Sequence, residues 1–131
     1  MADYLFVYGT LMKAARHPMA VRLAAHARYA GPATFNGRLY RVAHYPGAVA
    51  SEDASDQIHG ELYELVDAGK LFEALDAYEG CSPDHPQPTK YVRAQRSVSA
   101  GGNSVSTWIY LYNWPVDGLA RIASGRFLGQ E

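Results

Sequence analysis

At 131 residues, 48% hydrophobic and 19% charged, the chain is long enough to bury a core and too apolar to be chiefly disordered. A formal net charge of -1, with only the sparse pair Arg38 and Arg41 standing out as basic, excludes a nucleic-acid footprint. The one cysteine, Cys81, excludes an intramolecular disulfide, and no apolar run approaches the roughly 20 residues that cross a bilayer.

Tyr4 to Tyr8 is a short run of aromatic, aliphatic and β-branched residues that stops at Gly9, which predicts a buried strand and then a turn. His17 to Ala27 carries Pro18 near its start and Gly31-Pro32 beyond its end, the marks of a helix. From Gly31 to Val66 the chain is punctuated by Gly37, Pro46-Gly47 and the polar stretch Ser51 to Gln57. Strands are expected between these breaks, at Ala33 to Phe35, Arg38 to Ala43 and Ile58 to Val66. The last alternates only in part, as a strand covered on both faces does.

Asp67 is placed to cap a helix in which Ala68, Leu71, Phe72, Leu75 and Tyr78 recur at helical spacing, and Gly80 stops it. A stiff Pro-rich loop, Ser82 to Pro88, follows. Tyr91 to Ser99 and Ser104 to Tyr112, joined through Ala100-Gly101-Gly102-Asn103, predict a hairpin. Past Pro115, Val116 to Ser124 reads as a short helix. Ten tyrosines and twelve glycines favour β-structure with tight turns, and no repeat or linker divides the chain. The expectation is a single α+β domain over residues 1–131: a mixed, mostly antiparallel, barrel-like sheet with two or more flanking helices.

Glu79 is the sharpest candidate for chemistry. Seven helical steps from Phe72 bring it back to within roughly 20° of that residue, and four steps from Leu75 leave it roughly 40° away. If the helix stays regular this far, the carboxylate lies on the apolar face, while Glu73 and Asp76 fall off it and read as solvated. Lost hydration raises its pKa, and the negative end of the helix dipole pushes the same way. An acid tuned toward neutrality both takes and gives a proton. On geometry alone, a Glu79 that frays outward or pairs with Arg93 fits as well.

Tyr8-Gly9-Thr10-Leu11 runs a strand into a glycine and a hydroxyl residue. Successive N–H groups in such a turn form a concavity for a small carboxylate, although a plain strand-ending turn is the commoner use of four such residues. No Gly-rich phosphate loop is present, so no nucleotide cofactor is indicated. The five histidines, His17, His26, His44, His59 and His85, show no metal-ligand spacing with one another or with Cys81, and no metal is expected. Cys81 reads as a structural thiol, because nothing marks a partner base. Trp108, Tyr110 and Tyr112 share one strand face, which barrel filling explains before a pocket wall does. Tyr91 and Arg93 share a face of the preceding strand, where Arg93 is placed to hold a carboxylate, either that of Glu79 or that of a substrate.

Taken in order, Tyr8-Gly9-Thr10-Leu11, Tyr45-Pro46-Gly47, Gly60-Glu61-Leu62-Tyr63, Leu75-Asp76-Ala77-Tyr78-Glu79-Gly80, Tyr91-Val92-Arg93 and the aromatic strand Trp108 to Tyr112 resemble the γ-glutamylcyclotransferase-like proteins. The resemblance is to their small bacterial branch, which is also similar to γ-glutamylamine cyclotransferase and plant AIG2-like proteins. It implies a mixed β-barrel with flanking helices, a γ-glutamyl end of the substrate cradled by Tyr8 to Leu11, and Glu79 as the catalytic glutamate. It also implies a structural role for Tyr-Pro-Gly and a Pro-rich loop that sets which leaving group fits.

The implied reaction is an intramolecular aminolysis that closes a γ-glutamyl amine or amino acid into 5-oxoproline and frees the amine. It needs no cofactor and a small-molecule γ-glutamyl partner, with neither nucleic acid nor membrane. The first residues, Met1 to Leu5, do not read as a signal peptide, and the cytoplasm is the expected location. Two other uses of the fold compete: a non-catalytic module that binds a small ligand in the same cavity, and a protein-interaction domain. Glu79 argues for the enzyme, since a binding pocket has little use for an acid there.

Overall fold

The computed structural model describes residues 3–15, 17–81 and 86–127. Part of the Pro-rich loop, residues 82–85 with His85, lies outside them.

The described elements are β1 (Asp3–Val7), a 3-10 turn (Lys13–Ala15), α1 (Pro18–His26), β2 (Ala27–Arg41), β3 (Pro46–Ala50), β4 (Gln57–Leu65), α2 (Ala68–Glu79), β5 (Tyr91–Ala100), β6 (Asn103–Tyr112) and β7 (Ala120–Arg121). The sheet runs β3-β2-β4-β1-β6-β5, and a β2–β5 pairing at Thr34 and Ser99 closes it into a barrel. Only β1–β6 is parallel; the other pairings are antiparallel. The mixed, barrel-like sheet with two helices is therefore as the sequence predicts. Among the described residues no helix is long and apolar enough to cross a membrane.

The alternation of side chains on β1 explains how the layers stack. Phe6 and Tyr8 point into one core with Phe35, Leu39, Ile58 and Ile109. Leu5 and Val7 point into the other, where Leu71, Phe72 and Leu75 of α2 pack with Leu23 of α1. A strand buried on both faces has no reason to carry polar residues at every second position, which is why it reads as a continuous apolar run.

Several sequence expectations fail, each for a physical reason. Gly31, Pro32 and Gly37 do not break the chain into separate strands at Ala33 to Phe35 and Arg38 to Ala43; they lie inside the single strand β2. Gly31, at φ 110°, sits at a register shift opposite β4, so it marks a bulge rather than an end. At Gly37 an added Cβ would lie 2.5 Å from the Val49 carbonyl oxygen, so the glycine permits close approach of β3. Pro46 opens β3 instead of ending a strand, a place where its missing N–H costs little. Val116 to Ser124 is not helical: Gly118 turns at φ 80°, and Ala120–Arg121 pairs with the end of β2. Asp67 stands at the N-cap of α2, but its side chain makes no capping bond there.

Candidate active site

The decisive local question is whether α2 stays regular as far as Glu79, and it does. Gly80 then takes the left-handed conformation at φ 74°. Its N–H reaches the Ala77 carbonyl at 3.3 Å, and the Cys81 N–H reaches that of Asp76 at 2.9 Å. This Schellman pair turns the chain away directly after Glu79. Glu79 thus keeps its place on the face that buries Leu71, Phe72 and Leu75.

That end of α2 meets the end of β1, the start of β3 and the start of β5 around a cavity of about 520 Å³. Tyr8, Gly9, Thr10, Leu11, Glu79 and Tyr91 all line it. Burial pushes the Glu79 carboxyl up from 4.5 to about 7, and the negative charge of Asp76 adds to the shift. Among the described residues no group donates a hydrogen bond to it. A carboxyl raised to about 7, with no such donor among the described residues, is poised to move a proton.

The Gly9 turn is tied down from the far side. The Met12 N–H donates to the Gly9 carbonyl at 3.1 Å, and Thr10 Oγ1 shares a hydrogen bond of 2.7 Å with Tyr78 Oη. Tyr8 donates its hydroxyl to the Tyr110 carbonyl. Among the described residues the N–H groups of Gly9, Thr10 and Leu11 have no acceptor, so they remain able to bind an anion. Tyr91 donates to the Pro46 carbonyl at 2.6 Å, which holds the start of β5 to the start of β3. Burial and the neighbouring Glu79 charge keep the Tyr8 and Tyr91 hydroxyls protonated.

Arg93 is placed differently from the sequence expectation. It does not line the cavity, and its partner is Asp76, not Glu79. Its Nε and Nη2 reach the two Asp76 oxygens at 2.9 and 3.2 Å. The guanidinium lies over the rings of Phe72 and Trp108 at 3.9 and 4.7 Å. Asp76 is accordingly not a solvated acid, because Tyr110 also donates to it at 2.6 Å. On the wheel Asp76 lies only about 60° from Glu79, and that proximity was the available signal. Of the aromatic face on β6, Tyr110 lines the cavity, Trp108 packs edge-on against Phe72 of α2, and Tyr112 packs against Tyr91. Cys81 reaches toward Asp76 at 3.8 Å, and burial pushes its thiol up to about 12, which suits an inert thiol rather than a nucleophile. Among the described residues no three His, Cys, Asp or Glu side chains converge as a metal would require. Tyr45, Pro46, Lys90 and Trp114 also line the cavity and were not singled out by sequence as site residues.

Residues 5–129 match the model of the family described as gamma-glutamyl cyclotransferase, AIG2-like. The chain belongs to this family. This family member is 34% identical over 129 residues to the gamma-glutamylcyclotransferase family protein YtfP of Escherichia coli strain K12, with 97% of each chain covered. The solution structure of Escherichia coli ytfP superposes with a TM-score of 0.65 at 33% identity, again over 97% of each chain. YkqA of Bacillus subtilis gives a TM-score of 0.69 at 26% identity; the family member is covered to 97%, but it spans only 40% of that longer chain. An AIG2-like protein from Mus musculus, at 20% identity and a TM-score of 0.65 over 89% of this chain and 90% of that one, shares the fold.

Proposed function

We propose that this chain, acting as a single domain, is a γ-glutamyl cyclotransferase: it converts a γ-glutamyl amine or amino acid to 5-oxoproline and the free amine. The observation that carries the proposal is Glu79, a carboxyl raised to about 7 that faces a cavity rimmed by the Gly9 turn. Family membership supports it.

Glu79 takes a proton from the α-ammonium of the substrate. The freed amine attacks the γ-carbonyl carbon, and a C–N bond forms as the five-membered ring closes. The bond from that carbon to the leaving nitrogen then breaks as Glu79 returns the proton. In total, two protons leave the attacking nitrogen and two arrive on the departing amine, which is released as its ammonium ion. Nucleophile and electrophile belong to one molecule, so holding the folded conformer removes much of the entropic barrier. The N–H groups of Gly9 to Leu11 bind the α-carboxylate or the developing oxyanion. Tyr8 and Tyr91 wall the γ-glutamyl end, and Arg93 acts at one remove by holding Asp76.

The test is release of 5-oxoproline from a panel of γ-glutamyl amines, γ-glutamyl amino acids and glutathione, with Glu79→Gln run in parallel. Turnover by the wild type and loss of about a hundredfold or more in the variant is the expected outcome. Equal rates would remove Glu79 from the mechanism. Binding without turnover by the wild type would favour a non-catalytic ligand module.

A further inference from the structure

On that reading, a γ-glutamyl group alone is too small to fill the cavity of about 520 Å³. Lys90 also lines it and is the one Lys or Arg among the described residues that does. Its Nζ donates to Tyr45 Oη and lies 5.0 Å from the Tyr45 ring centre and 5.3 Å from that of Trp114. The surrounding chain is held firmly. The Asn113 N–H donates to the Lys90 carbonyl at 2.7 Å, Asn113 Nδ2 to the Thr89 carbonyl at 2.9 Å, and Trp114 Nε1 to the Pro88 carbonyl at 3.0 Å.

An ammonium has three protons to donate, and a neutral phenol takes only one of them. The ion pairs among the described residues are those of Arg28, Arg38, Arg93 and Arg121, and none engages Lys90. With no ion-pair partner among the described residues, Lys90 presents a positive charge and spare donors to the cavity beside the rings of Tyr45 and Trp114. Lys90 and Glu79 both line this cavity, Lys90 beside Tyr45 and Trp114.

We propose that Lys90 is the specificity-determining residue of a leaving-group subsite, where it selects γ-glutamyl substrates whose leaving amine carries a carboxylate over those whose leaving amine is neutral. This rests on the cavity being the γ-glutamyl site. The carboxylate receives a charge-assisted hydrogen bond from Nζ, and the faces of Tyr45 and Trp114 cover the apolar part of the departing amino acid.

The experiment compares γ-glutamyl-alanine with γ-glutamyl-alaninamide, which are nearly equal in size and differ in one charge. In the wild type kcat/KM should favour the carboxylate by roughly tenfold to a hundredfold, the worth of one charged hydrogen bond. Lys90→Met should bring that ratio close to one, and Lys90→Arg should keep most of it. Titrations followed by tryptophan fluorescence give the same ratio as dissociation constants, independent of turnover. A wild-type ratio near one, or a Lys90→Met loss equal for both compounds, overturns the proposal and leaves cyclotransferase activity intact. Absence of turnover overturns the reaction instead, and the ratio of dissociation constants in wild type and variant then decides the role of Lys90.

Discussion

Arg93 grips Asp76 through two hydrogen bonds, and Asp76 is the charge that acts on Glu79 three residues further along α2. The strand that supplies Arg93 thereby holds in place the anion that acts on the catalytic candidate. Tyr110 completes the arrangement by donating to the same Asp76 oxygen that Arg93 Nε uses.

In the proposed cycle Glu79 acts first as a base, and burial pushes its carboxyl up to about 7, so kcat/KM should fall as pH drops through that value. Removing the charge in Asp76→Asn makes ionisation of Glu79 easier, and the acid limb should move to lower pH. The pH profile of 5-oxoproline release in the two proteins checks this; a limb that stays in place refutes the role of Asp76.

Glu79 should also weaken the fold at the pH where it works. Its folded-state pKa lies above the ordinary 4.5, so the folded chain holds its proton longer than the unfolded chain does. Stability therefore falls as pH rises from about 4.5 to about 7, by up to about 3 kcal/mol. Glu79→Gln abolishes this dependence. Urea denaturation should find the variant gaining on the wild type between pH 4 and pH 8, and a constant difference would contradict the burial argument.

Gly9→Ala should damage the cavity through a single contact. Its new Cβ would lie 2.7 Å from Cγ and 2.8 Å from Cδ of Pro46, a ring with little freedom to yield. Displacing the turn should cost about 1–3 kcal/mol and lower kcat/KM. Pro46→Ala in the same protein should recover part of both losses, which a double-mutant cycle measures directly.

Gly80→Ala tests the helix end. At φ 74° a Cβ strains the backbone by about 1–2 kcal/mol, whereas asparagine tolerates the position better. Melting temperature and kcat/KM should both fall in the order Gly, Asn, Ala. An alanine variant with unchanged activity would show that Glu79 does not depend on this cap.

Residues close in sequence made most of the elements legible. The hairpin was readable because Gly101 and Gly102 both need positive φ, which the structure places at 58° and 82°. The helix was readable because Leu71, Phe72 and Leu75 repeat at its period, and the same spacing put Glu79 on its buried face. The short strand β3 was not readable, because Pro46-Gly47 signals a break until a partner strand is present. Gly31 and Gly37 misled for the same reason: a bulge and a close approach exist only relative to a neighbouring strand.

By itself, then, the sequence determined the α+β class, the helical face that carries Glu79 and the turn after β1, since each depends on backbone preferences and periodicity within a few residues. Only the tertiary structure decided that Arg93 belongs to Asp76 and that Lys90 stands between Tyr45 and Trp114. Those pairings join positions 17 and 45 residues apart for Arg93–Asp76 and Lys90–Tyr45. Strand register and chain packing set them, and no local preference encodes either.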